Sequence, residues 1–110
     1  MSCELPYRRD FPTARAGRTF PGIRYEIEGT TTLTAVSCVV KDSVGDTALT
    51  LSTGGTGMTL TSGTIGAWDF EVDTITAVSL SSGFYTYEMT LTSDDSSVVD
   101  WFVGQWKIND

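Results

Sequence analysis

Histidine is absent from the 110 residues. That removes the commonest general base, zinc ligand and near-neutral pH switch together. Serines recur, but no imidazole is present to activate one. The two lysines, Lys41 and Lys107, stand in no Ser-x-x-Lys spacing. Paired carboxylates are the remaining route to hydrolysis, since two acids across a glycosidic bond suffice to break it. Asp69, Glu71 and Asp73 alternate with Trp68, Phe70 and Val72. They therefore project from the solvent face of one strand, about 7 Å from one to the next. Such a row ordinarily just keeps an outer face wetted. Asp94-Asp95 has the composition of a hairpin loop, and Asp42 to Asp46 that of a tight turn with too few oxygens for calcium. No Cys-x-x-Cys spacing occurs. No catalytic, cofactor-binding or metal-binding residue is expected, and the chain reads as a non-enzyme.

Aromatic side chains offer a second chemistry, stacking on sugar rings or anchoring an interface. Trp68 and Trp101 share the parity of Phe70 and Val103, which predicts burial. Trp106 follows Gly104, which reads as a bulge, so Trp106 is the candidate for a surface aromatic. An exposed Trp106 would favour a carbohydrate- or receptor-binding module.

Charge is divided along the chain. All five arginines (Arg8, Arg9, Arg15, Arg18 and Arg24) precede residue 25, opposed there only by Glu4 and Asp10, giving +3. The remainder carries two lysines against 12 acids, giving −10 and a net −7 overall. Residues 1–18 hold Pro6, Pro12 and Gly17 with little periodicity, so they are expected to form an extended basic arm. The arm also carries Leu5, Tyr7 and Phe11, apolar groups that need a surface to lie on. Leu5, Tyr7, Arg8, Arg9, Phe11, Arg15 and Arg18 are therefore the candidate partner-binding residues. Arginine suits bidentate contact with carboxylates. The arm is expected to be mobile in the isolated chain and ordered against an acidic surface, its own or a neighbour's. An acidic body repels phosphate, so no nucleic-acid partner is expected. No apolar run approaches the roughly 20 residues that span a bilayer, so no membrane partner is expected either. A basic segment leading into an apolar stretch is also missing, and no secretory signal is predicted.

The body from Phe20 onward has a period of two. Alternation predicts strands around Ile23–Ile27, Val36–Val40, Leu49–Leu51, Met58–Leu60, Trp68–Val72, Tyr85–Leu91 and Val99–Ile108. Between the fifth and sixth of these, Ile75, Val78 and Leu80 have helical spacing over a stretch too short for more than one turn or a loop. Turn residues recur between the strands, and 18 threonines add β-branched character. The prediction is an all-β protein, an antiparallel immunoglobulin-like sandwich of about seven strands over residues 19–110. Of the two cysteines, Cys38 reads as a small buried hydrophobe, and both thiols are expected to be free, with a Cys3–Cys38 bridge as the alternative.

Five short motifs occur in a definite order: Arg18-Thr19-Phe20-Pro21-Gly22-Ile23, Leu49-Thr50-Leu51-Ser52, Gly57-Met58-Thr59-Leu60, Gly83-Phe84-Tyr85-Thr86-Tyr87-Glu88-Met89 and Gly104-Gln105-Trp106-Lys107-Ile108. The series resembles the small immunoglobulin-like sandwich proteins of tailed bacteriophages, including the N-terminal domain of baseplate upper proteins. The resemblance covers about residues 17–108. It implies a role in virion assembly at a baseplate, tail or fibre attachment, and brings no catalytic residues with it. No receptor-binding domain follows Asp110, so an adaptor or capsid-decoration role is expected. The partners would be other virion proteins or copies of this chain in a symmetric oligomer, with assembly in the cytoplasm of the bacterial host and no cofactor.

Overall fold

The computed structural model describes residues 7–29, 31–94 and 98–110, with the side chains at 7, 8 and 98–101 outside that description. Leu5 and Cys3 lie outside the described residues, as do the side chains of Tyr7, Arg8 and Trp101.

Among the described residues nine strands build two sheets: β1 (Tyr7–Arg8), β2 (Ala14–Arg15), β3 (Ile23–Ile27), β4 (Leu33–Lys41), β5 (Thr47–Ser52), β6 (Met58–Thr64), β7 (Ala67–Val72), β8 (Gly83–Ser93) and β9 (Val98–Asn109). The larger sheet has the order β1-β9-β8-β4-β5, with β2 also pairing β9, and the smaller is β3-β7-β6. The fold is an antiparallel immunoglobulin-like β-sandwich. Seven strands coincide with the predicted alternations. The other two, β1 and β2, come from the N-terminal segment.

Alternation explains the core. Tyr25 on β3, Val36, Cys38 and Val40 on β4, Trp68, Phe70 and Val72 on β7, and Tyr85, Tyr87, Met89 and Leu91 on β8 all turn inward. Side chains from the two inner faces meet in one hydrophobic core. Arg24↔Glu71 and Glu26↔Asp69 are the paired positions on the outer face of the smaller sheet. Residues 74–82 form no helix. Phe20 and Ile75 exchange backbone hydrogen bonds at 2.8 Å, Val78 donates to Arg18, and Val78 and Leu80 are buried. The Tyr85 hydroxyl donates to the Ser81 carbonyl at 2.8 Å.

Trp106 is a correction: it is fully buried, not a surface aromatic. The register shows why. Met89 pairs Phe102 while Thr90 pairs Asp100, so Trp101 is the extra residue of a β-bulge. One inserted residue exchanges the two faces of everything after it. Phe102, Gly104, Trp106 and Ile108 therefore turn inward together. Gly104 itself is in regular register with Tyr87 and is not the bulge.

Phe11 is a second correction. Expected to serve a partner surface, it is only 4% exposed, inside this chain's own core. Ala14 is buried in the same core.

Cys38 is a free thiol with no exposure, and burial pushes its pKa from 9.0 up to about 12. Burial likewise moves the Tyr25 hydroxyl from 10.0 to about 12. Both groups are neutral when folded and ionise more readily once unfolded. The unfolded chain thus loses these protons first, and stability falls as pH rises. The protein is expected to hold its neutral-pH stability to about pH 9, then lose about 1.4 kcal/mol per pH unit per group up to about pH 12. Alkaline denaturant melts, with thiol labelling of Cys38 tracking the unfolded fraction, measure this.

Candidate interaction surface

The N-terminal segment runs parallel to β9 along its free edge. Tyr7 pairs Phe102, Arg8 pairs Val103, Ala14 pairs Ile108 and Arg15 pairs Asn109. Arg9 N donates to Val103 O and Phe11 N to Gln105 O, both at 2.9 Å. Between the two short strands the pairing with β9 shifts by one residue, and Pro12 has no N–H to give a ladder. There the Asp10 carboxylate substitutes for backbone, accepting from Gln105 N at 3.0 Å.

Four features of the body receive this segment. The Phe11 ring stacks on Tyr87, with centroids 4.0 Å apart, and meets Trp106 edge-on at 5.4 Å. Phe20 closes the cluster, 5.1 Å from Trp106. The Tyr87 hydroxyl donates to the Arg9 carbonyl. Burial raises the pKa of that hydroxyl well above the usual phenol range, so it remains a donor. Gly104 supplies the space. A Cβ there would meet the Arg9 carbonyl group, with its carbon at 2.8 Å, and Tyr87 Cε2 at 2.9 Å. The Arg9 guanidinium lies over the Tyr25 ring at 4.8 Å, within cation–π range.

Of the arm residues singled out from sequence, Arg9, Arg15 and Arg18 are exposed along this edge. Tyr7 and Arg8 join it through their backbone. Alternation did not reveal Tyr87 as a latch or Gly104 as a cradle, because both act on a segment nearly a full chain length away. The two prolines and scattered apolar residues of the arm were the only local trace.

The opposite outer face, on the smaller sheet, is acidic. Asp69 holds Arg24 bidentately, at 3.0 Å to Nε and 2.6 Å to Nη2. That hydrogen bonding holds Asp69 below its ordinary carboxylate pKa and raises that of Arg24. Thr59 Oγ1 donates to Asp73 at 2.7 Å. An open groove of about 410 Å³ here is lined by Glu26, Glu28, Trp68 and Asp69 among others. Acid–base hydrolysis needs one carboxyl kept protonated. Asp69 is driven the other way. Among the described residues, no three His, Cys, Asp or Glu side chains converge to hold a metal ion.

No family model matches this chain, and no curated protein sequence matches it. Among solved structures it is similar to CopC from Methylosinus trichosporium OB3b, with a TM-score of 0.51 and 14% identity over 88% of this chain and 81% of that one. A comparison with PapD-like domain 7 of human CEP192 gives a TM-score of 0.39 and 15% identity, covering 96% and 84%. At that identity the CopC likeness concerns the fold, an immunoglobulin-like sandwich.

Proposed function

We propose that this protein is a structural component of a bacteriophage virion, not an enzyme, and that it acts by protein–protein contact as a baseplate, tail or fibre adaptor or as a capsid decoration. Its place of action would be the virion, assembled in the host cytoplasm. The observation that carries the reading is the ordered motif series, which runs along an immunoglobulin-like sandwich and ends in Gly104-Gln105-Trp106-Lys107-Ile108 on β9, the strand that the arginine-bearing N-terminal segment pairs. The absence of histidine, and the ionised state of Asp69 in its ion pair, weigh against catalysis. The carbohydrate-binding alternative drew on an exposed Trp106, and that side chain is buried.

The test is a protein census of purified particles by quantitative mass spectrometry. About six to eighteen copies per particle is the expected result for an adaptor at a symmetric junction, and on the order of hundreds for a decoration protein. Absence from washed particles would overturn the reading.

A further inference from the structure

We infer that residues 7–16 are an exchangeable strand, and that the partner of the β9 edge is the same segment of a second copy of this chain. The inference rests on the assembly role proposed above and names the contact by which copies would join.

The occupant of the edge is visible, and every group that receives it belongs to the body. Phe11 is enclosed by Phe20, Tyr87 and Trp106. The Arg9 carbonyl is held by Tyr87, and Gln105 supplies both a donor and an acceptor. All of these follow residue 17, so the groove is complete without its own segment. A neighbour's strand would make the same contacts in the same register.

The joint between segment and body is one residue. Gly17 has a φ of +73°, and nothing lies within 4 Å of where its Cβ would be. Gly17 N donates to Val78 O at 2.8 Å, Arg18 accepts from Val78 N, and Thr19 Oγ1 donates to the Thr76 carbonyl, so the body's grip on the chain begins at this residue, with Ala16 bridging Val78 just before it. Glycine passes from this left-handed conformation to an extended one at little cost. Turning at Gly17 lifts residues 7–16 as a unit while Phe20 stays in the core.

Charge draws copies together without deciding between the closed and exchanged forms. Arg15 and Arg18 are exposed and have no ion-pair partner among the described residues. The body of any neighbour is acidic, with Glu26 and Glu71 on its outer face. Because closed and exchanged forms share their contacts, concentration and the hinge decide between them. Copies held side by side on a particle experience effective concentrations on the order of millimolar.

The test uses the full chain carrying Cys3→Ser. Asp10→Cys and Gln105→Cys, which face each other across the edge, are made as separate variants and mixed at about 1 mM under mild oxidation. The expected product is a covalent heterodimer joining residues 10 and 105 of different chains. Sedimentation of the chain without these cysteines should show a dimer at that concentration, and inserting Gly-Ser-Gly-Ser after Gly17 should convert it to monomer, because a longer hinge favours closure. A purely monomeric chain, or a dimer indifferent to hinge length that gives no cross-link, overturns the proposal. Neither result depends on particles, so strand exchange can fail while the particle census succeeds.

Discussion

Alanine at Trp106 should unfold this domain. The side chain is fully buried and packs against Phe11 and Phe20. Truncating a buried tryptophan costs about 3–5 kcal/mol, through lost transfer free energy and the cavity left behind. A domain of this size has a total stability of only about 5–15 kcal/mol. The removed ring is also one wall of the Phe11 site, so the N-terminal segment loses part of its seat at the same time. Denaturant melts followed by far-ultraviolet circular dichroism should show a midpoint far below wild type, or no folded baseline. Trp106→Phe should recover much of the loss, since it retains an aromatic wall. A Trp106→Ala protein melting like wild type would mean that the side chain is not in the core.

Gly104→Ala is the second large effect, and it acts on a different part of the molecule. The new methyl group would sit within 3 Å of the Arg9 backbone and of the Tyr87 ring. Neither is the free end of a flexible side chain. The least costly response is for the N-terminal strand to leave the edge, which gives up the Tyr87–Arg9 hydrogen bond and the stacking of Phe11. Overpacking at such a site costs about 1–3 kcal/mol before those losses are added. The amides of Arg9 and Phe11, protected by Val103 and Gln105 in the wild type, should exchange as fast as in an unstructured chain. Trypsin should cut at Arg9 and Arg15 while the sandwich stays intact. Unchanged protection of those two amides would show that the strand does not need the space at Gly104. Tyr87→Phe is the gentler companion, removing one hydroxyl and leaving the ring that Phe11 stacks on.

The seven body strands could be read from sequence because each signals itself locally. Ile23, Tyr25 and Ile27, and again Trp68, Phe70 and Val72, fall on one side of a pleat that buries one face. The facing of Trp106 could not be read in that way. Alternation propagates parity from one residue to the next, and the bulge at Trp101 breaks that propagation with no glycine or proline to mark it. Gly104 looked like the irregular residue, but its missing side chain serves a neighbour and not the local backbone. The N-terminal strand failed for another reason. Its pairing joins residues almost a hundred positions apart, and its two short ladders flank a stretch with no ladder pairing and with Pro12 in it, so no run is long enough to show a period. Composition did register that Phe11 needed a surface, but not that the surface was its own core. The basic character of residues 9–18 was legible, because charge is a sum and does not depend on register.

The parallel alignment of β1 and β2 with β9 has a mechanical side. Tyr7 lies beside Phe102, toward the middle of β9, and Arg15 lies beside Asn109 at its far end. A pull on the chain ahead of Tyr7 and an opposite pull at Asn109 would therefore act along two neighbouring strands in opposite senses. The hydrogen bonds between them would be loaded in shear, all at once, instead of opening one by one as a peeled hairpin does. Phe11, seated among Tyr87, Trp106 and Phe20, adds a peg across the direction of sliding. Tension between these two points meets its resistance at the edge strand, before any strand of the inner sandwich carries load.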